Sequence, residues 1–200
     1  MTGVIADITM SLDGFVTAPN AGPKAGLGDD GMPLHDWVFN GNEVDEAVLA
    51  TATHRSGAVV MGRNLFDVID APGGWSDDLG YGAHNVGRPP FFVVTHNPPA
   101  KVRLSLDFTF VTEGVAAAVE AARKVCPPDK DVVIMGGGNV IAQAIEQGLV
   151  DDVVLHVSPI VLGAGTPLWN GVSRRQLRQT DVRVSPYATH ITYSLDRDRR

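Results

Sequence analysis

A chain of 200 residues, 44% hydrophobic and 20% charged, can bury a sizeable core as one domain and does not have the composition of a disordered segment. Its formal net charge of −7 excludes the basic face that tracks nucleic acid. The single cysteine, Cys126, excludes an intrachain disulfide, and no run approaches the roughly 20 apolar residues of a membrane span.

The first residues, Met1 to Leu12, have no basic stretch and carry Asp7 among apolar positions, so they do not read as a secretory signal and a cytoplasmic protein is expected. Val4 to Met10 alternates apolar and polar residues and predicts a first strand. Ser11-Leu12-Asp13-Gly14 breaks it, and Phe15-Val16 resumes briefly. From Pro19 to Pro33 the chain is rich in Gly, Pro, Asn and Asp and reads as a loop. Asn42 to Arg55 predicts a helix, with Asn42 as N-cap, acidic residues in the first turn, and Val44, Val48, Leu49 and Ala52 on one face.

Ala58-Val59-Val60-Met61 is wholly apolar, as a strand covered on both faces would be. Gly62-Arg63-Asn64 ends it, and Leu65 to Ile69 begins a helical turn before Pro72-Gly73-Gly74. A loop, Ser76 to Pro90, leads to a strand at Phe91 to Val94, closed by Thr95-His96-Asn97-Pro98-Pro99. Phe108 to Val111 is another strand, and Val115 to Val125 an alanine-rich helix that places Cys126 as a small, part-buried thiol. Val132 to Met135 is a buried strand, followed by Gly136-Gly137-Gly138 and a helix with Val140, Ile141, Ala144 and Ile145 on one face and Gly148 as its C-terminal cap. Val153 to Val161 is a strand with Pro159 near its end, and Thr180 to Val184 with Thr189 to Leu195 forms a hairpin with one wet face. The whole is an α/β fold: a central, mostly parallel β-sheet flanked by helices, with an antiparallel C-terminal hairpin.

Ligands on such sheets gather at the carboxyl ends of the strands, which puts four turns on one rim: Ser11–Gly14, Gly62–Asn64, Thr95–Asn97 and Gly136–Asn139. The glycine triplet carries the strongest chemistry. Bare main chain lets another molecule approach, and the helix that starts there turns its N–H groups and positive dipole end toward an anion, such as the pyrophosphate of a nucleotide cofactor. A tight connection with nothing bound is the structural alternative. Arg63 is a forked cation suited to a phosphate, or equally a surface salt-bridge partner. Thr95 and Asn97 offer hydrogen bonds to a ribose or its phosphate, or are there for the turn.

These motifs resemble a known family. Met61-Gly62-Arg63-Asn64 and Met135-Gly136-Gly137-Gly138-Asn139-Val140 are similar to the M-G-R and G-G-G/A-x-[VL] turns of dihydrofolate reductases. Ser11-Leu12-Asp13-Gly14-Phe15-Val16 and Leu162-Gly163-Ala164-Gly165-Thr166-Pro167-Leu168 more closely resemble the reductase domain of bacterial riboflavin biosynthesis (the C-terminal domain of RibD) and its stand-alone relatives. The resemblance implies a single dihydrofolate reductase-like domain over residues 1–196, with 197–200 a frayed tail, and a homodimer. It also implies NADPH as cofactor. Gly62, Arg63 and Asn64 would lie against its phosphates, with Arg63 near the ribose 2′-phosphate. Thr95, His96 and Asn97 would border the adenosine. A cis Gly136-Gly137 peptide would precede the N–H groups of Gly138, Asn139, Val140 and Ile141 on the pyrophosphate. Thr9, Val16 and Thr17 would border the nicotinamide.

The expected activity is an NADPH-dependent reductase transferring hydride to a small heterocyclic or carbonyl substrate, similar to 5-amino-6-(5-phosphoribosylamino)uracil reductase. The alternatives are a non-catalytic nucleotide-binding homodimer and a dihydrofolate or pteridine reductase. The match of Asp36 to the acidic helix residue of folate reductases is poor, and the zinc signature of the riboflavin deaminase is absent. Asp13 is the first candidate for a catalytic carboxylate, against an Asx turn before Gly14, and Asp36 the second, against a helix N-cap. Trp37 and Phe39 wall a substrate pocket or belong to the core, as do Trp75 and Trp169. Gly163, Gly165 and Thr166 hold a substrate phosphate or merely turn the chain. The six histidines show no metal-ligand spacing, so no metal is expected, and His54, His84 and His190 read as surface or satisfied groups.

Overall fold

The structure is a computed structural model that describes residues 2–78, 80 and 88–195. The expected tail at 197–200, His84 and part of the loop before Pro90 lie outside the described residues. Strands β1 (Val4–Ser11), β3 (Ser56–Gly62), β4 (Phe91–Val94), β5 (Phe108–Val111), β6 (Asp131–Gly136) and β7 (Asp152–Ser158) join β9 (Arg178–Val184) and β10 (Thr189–Ser194) in one sheet of order β5-β4-β3-β6-β1-β7-β10-β9. Pairing is parallel from β5 to β7 and antiparallel at β10 and β9. Two short strands, β2 (Phe15–Thr17) and β8 (Thr166–Pro167), pair separately.

One face of the sheet packs on α4 (Val115–Val125) and α5 (Gly138–Glu146). Val115, Ala118, Val119 and Ala122 recur at helical spacing and are buried against Ala58, Val60, Val132 and Ile134. Alpha-5 ends in a Schellman motif: Gly148 takes φ +68°, its N–H reaches Ile145 O, and Leu149 N–H reaches Ala144 O.

The other face carries two separate apolar clusters. Alpha-3 (Arg63–Ile69) contributes Phe66 and Ile69 to one, with Val59, Met61, Phe91 and Val93. The second contains Trp37 and Val48, from α1 (Asp36–Phe39) and α2 (Glu43–Arg55), with Ala188. Strand alternation puts Ile5, Asp7 and Thr9 of β1 on this face with Val133 and Met135 of β6, in the seam between the two clusters.

Differences from the sequence reading are local. Beta-7 stops at Ser158 rather than Val161, because Pro159 has no N–H to continue a ladder. Alpha-3 begins at Arg63, two residues early, with Gly62 as its extended N-cap. Phe39 and Trp169 are exposed rather than core, since Trp37 takes the inward position of the short α1 and Leu168 the inward position after β8. Beta-9 is exposed at every residue, so the hairpin's outer strand is wet on both faces.

Asn42 is the N-cap expected, and it forms a full capping box. Its Oδ1 accepts from Val44 and Asp45 N–H (3.0 and 3.4 Å), while Asp45 Oδ2 accepts from Asn42 N–H (2.9 Å). Replacing Asn42 with Ala is expected to cost about 1 kcal/mol of stability, read from the midpoint of urea unfolding; an unchanged midpoint would show that the box contributes nothing.

Candidate functional site

Parallel pairing of β3, β6 and β1 carries three strand ends to one rim. Gly62 closes β3 beside the end of β6: a Cβ built on it would stand 2.9 Å from Val140 Cγ2 and 3.5 Å from Gly137 N. No side chain fits there, which is why the strand ends on glycine. The Gly136–Gly137 peptide is cis, and Gly136 has φ +141°. On the far side, a Cβ on Gly138 would lie 3.1 Å from Val16 Cγ2 and 3.6 Å from Thr166 Cγ2. Gly62, the glycine triplet, β2 and β8 are therefore consecutive neighbours along one rim.

The corner can receive an anion. A Cβ on Gly137 would meet nothing within 4 Å, so the main chain there faces open space, and Asn139 is exposed. Val140 and Ile141 depart from the expectation, because their N–H groups are already donated to Gly137 O at 3.0 and 3.2 Å. Only Gly138 and Asn139, in the first helical turn, lack intrahelical acceptors, which narrows the anion contact to those two.

Arg63 extends the rim toward β4. Its Nε donates to Asp67 (2.7 Å) and its Nη1 to Asn97 O, so the salt bridge foreseen as an alternative is present. These bonds use two of five guanidinium donors, and the side chain remains one-third exposed. Asn64 is exposed beside it. Thr95 is buried and serves the turn, its Oγ1 accepting from Asn97 N–H at 3.2 Å, while His96 and Asn97 are exposed. Arg63 thus ties the 95–97 turn to the glycine corner.

Asp13 is anchored differently from either expectation. Its carboxylate accepts from Ser11 Oγ (2.6 Å) within its own turn and from the N–H groups of Leu162 (3.1 Å) and Gly163 (2.7 Å) across the rim. The Ser11 hydroxyl and then those N–H groups hold its pKa below the usual carboxylate value, against some desolvation. It is a charged clamp between two loops and a poor proton donor. The Gly163 N–H is consequently committed to Asp13 rather than open to a phosphate. Thr17 Oγ1 donates to Thr166 Oγ1 (2.9 Å), and a Cβ on Gly165 would fall 1.8 Å from Thr17 O, so the 163–166 segment is pressed onto β2.

Asp36 is the first residue of α1, not its N-cap, and accepts from Asn40 Nδ2 at 3.3 Å. Trp37 is buried over β1 and β7. Its Nε1 donates to Thr9 Oγ1 (3.0 Å), and its ring lies 4.2 Å from that of His156.

The carboxylate that does reach the seam is Asp7, one-fifth exposed and hydrogen-bonded to His156 Nε2 at 3.0 Å. Nothing in the reading of the sequence singled it out. The available signal was a polar residue at an inward strand position, repeated at Thr9 and Ser11. Of the two readings offered for His190, the satisfied group is the one present: it is buried and pairs with Asp45 at 2.9 Å. A cavity of about 260 Å³, lined by Ile145, Val153, Trp169 and Arg175, lies at the other end of α5, away from the rim.

Comparison with known proteins agrees with this architecture. The sequence profile of the RibD C-terminal domain matches residues 2–193. Among solved structures, the chain resembles a Shewanella sp. PV-4 protein named for riboflavin biosynthesis, with a TM-score of 0.68 and 21% identity, covering 98% of this chain and 100% of that one. It also resembles a Thermotoga maritima diaminohydroxyphosphoribosylaminopyrimidine deaminase/5-amino-6-(5-phosphoribosylamino)uracil reductase (TM-score 0.63, 13% identity, covering 97% of this chain and 56% of that one). Dihydrofolate reductase from Enterococcus faecalis, complexed with NADP(H), shares the fold at a TM-score of 0.58 and 15% identity, covering 97% and 96%.

The histidines at this site make stability depend on pH. Burial, then the nearby His156, pushes the His35 pKa down to about 4. Burial, then His156, lowers that of His190, against the pull of Asp45 and Asp7. Depressed folded-state values mean that the unfolded chain binds more protons below about pH 6.5, so stability falls as pH drops from there toward 4. Each such histidine contributes a slope of about 1.4 kcal/mol per pH unit within its window. Urea unfolding at pH 7, 5.5 and 4.5 is expected to show the decline, and His35→Gln is expected to flatten it. A midpoint independent of pH would refute this account.

Proposed function

The chain belongs to the RibD C-terminal domain family, and on that premise we propose that it is an NADPH-dependent reductase of a small heterocyclic or carbonyl substrate. A substrate similar to that of 5-amino-6-(5-phosphoribosylamino)uracil reductase is the first choice. The observation that carries this reading is the contiguous rim from Asn97 through Arg63, Gly62 and the glycine corner to Val16 and Thr166. The residues present fit a dinucleotide: bare main chain at Gly137, unspent N–H groups at Gly138 and Asn139, and a cation at Arg63.

When bound, NADPH supplies the hydride. The protein supplies position and exclusion of water. Gly138 and Asn139 would hold the pyrophosphate, and Arg63 the 2′-phosphate, with its bond to Asp67 keeping the guanidinium in place. Val16 and Thr17 border the neighbouring stretch of rim, and Thr9 with Trp37 closes the seam beneath it. We further propose a cytoplasmic protein; among the described residues no helix is long and apolar enough to cross a membrane. A homodimer is proposed as well, supported by the fully exposed edge strand β9 with Val182 and Val184 uncovered.

Fluorescence titration tests the reading. Saturable NADPH binding is expected, and its absence in folded protein would end the proposal. Arg63→Ala is expected to weaken NADPH on the order of tenfold or more, as loss of a charge-assisted contact does, while changing NADH little. Equal losses for both would remove Arg63 from the 2′-phosphate.

A further inference from the structure

Asp7, His156, His190 and Asp45 form an unbroken line of hydrogen bonds through β1, β7, β10 and α2. Asp7 Oδ1 lies 3.0 Å from His156 Nε2, the two Nδ1 atoms are 2.7 Å apart, and His190 Nε2 lies 2.9 Å from Asp45 Oδ1. The histidines are direct partners across the β7–β10 ladder, and Trp37 covers both, with ring centroids at 4.2 and 5.1 Å.

Hydrogen accounting fixes the proton content. Two ring nitrogens 2.7 Å apart hold one hydrogen between them: none would set lone pair against lone pair, and two would collide. An ionised carboxylate only accepts, so each outer Nε2 facing one must carry a hydrogen. Two ionised carboxylates therefore require three hydrogens on the pair of rings, where two neutral imidazoles have two. The same total results if the extra proton sits on Asp7 instead. Either way, the line stores one proton.

Its location follows from the ends. Asp45 is fully buried and accepts from Asn42 N–H (2.9 Å), Ser185 Oγ (2.8 Å) and His190, bonds that keep it ionised although burial opposes them. His190 and His156 are almost completely covered, and Asp7 alone in the line meets the outside. The other charged groups nearby do not compete. His35 stays neutral near pH 7, Asp36 is bonded to Asn40, and Arg183, opposite His190 on β9, is paired with Asp181.

We propose that these four side chains are a one-proton store whose single outlet, the Asp7 carboxyl, supplies the proton that accompanies hydride transfer. The proposal rests on the reductase reading above. In the reaction, a C=N or C=O carbon of the substrate gains a hydride from NADPH, which becomes NADP⁺. The adjacent nitrogen or oxygen takes the stored proton from Asp7, which holds it or has received it from His156, and the line is left with an ionised Asp7 and two neutral imidazoles. A solvent proton then returns through Asp7. Asp7 is thus a catalytic residue, while His156 and His190 position and hold the proton.

The test counts protons directly. In protein labelled with ¹⁵N-histidine and ¹³C-aspartate, NMR at pH 7 is expected to show three ring hydrogens on the pair, or two with a protonated Asp7. Asp7→Asn is expected to return the pair to two. Two neutral rings beside an ionised Asp7 in the wild type would overturn the store. Single-turnover oxidation of NADPH, with 5-amino-6-(5-phosphoribosylamino)uracil as probe, reads the outlet. Asp7→Asn is expected to slow it at least a hundredfold with NADPH affinity kept. His190→Gln is expected to move the alkaline limb of the pH–rate profile down by a unit or more, a shift that a purely structural role would not produce. Rates and profiles equal to wild type would overturn the role of Asp7. Failure of the wild type to bind NADPH would overturn the reductase reading instead, and failure to oxidise it would exclude this substrate; the ring count decides the store in both cases.

Discussion

The parallel registration of β3, β6 and β1 sets the terms for everything at the rim. Val59 lies opposite Val133 and Ile5 opposite the same residue from the other side, so the three strands point to one rim. Strands β3 and β6 end level with each other, and β1 continues to Ser11. The chain leaves β3 and β6 at nearly the same height, and room for a side chain is short at two of the positions where it does so. Gly62 meets Val140 and Gly137, and Gly138 meets Val16 and Thr166. Crowding by the Val140 and Val16 side chains favours glycine at positions 62 and 138, whereas position 137 faces open space. The anion-binding character of the corner follows from the helix that has to start there.

Charge is handled locally in this acidic chain. The molecule carries −7 overall, yet Arg63 is braced by Asp67 on its own helix, and Asp13 is neutralised by a hydroxyl and two N–H groups rather than by a cation. An anionic ligand would be held by short-range donors that overcome a repulsive average field. The same economy governs the interior. Asp45 caps α2 and at the same time closes the histidine line, so the start of a helix and the far end of a buried polar chain depend on one carboxylate.

Most of the framework was legible because it obeys a period. The i, i+3, i+4 pattern of Val115, Ala118 and Val119 gives α4 over its observed span, and four consecutive apolar residues give the core of β3. The glycine turns were legible because few residues tolerate such geometry. Asp7, His156, His190 and Asp45 were not, since their partners stand 149, 34 and 145 positions apart and no local rule links them. The anchoring of Asp13 was hidden for a like reason: two of its donors, Leu162 and Gly163, stand 149 and 150 positions away. What remained visible was that β1 and β7 keep polar residues where a sheet buried on both faces should be apolar. That departure from pattern marked the seam without naming its chemistry.

The two glycines of the Gly163-Ala164-Gly165 segment look interchangeable in the sequence but are not. At position 163 the backbone is left-handed, with φ +73° and empty space around a would-be Cβ, a conformation that asparagine adopts at modest expense. At position 165, φ is +139° and any Cβ would be driven into the carbonyl oxygen of Thr17. A family of such chains should therefore drift at the first position and stay invariant at the second. An allele with a larger residue at 165 would prise β8 from β2 and unseat Val16 from the helix start it adjoins.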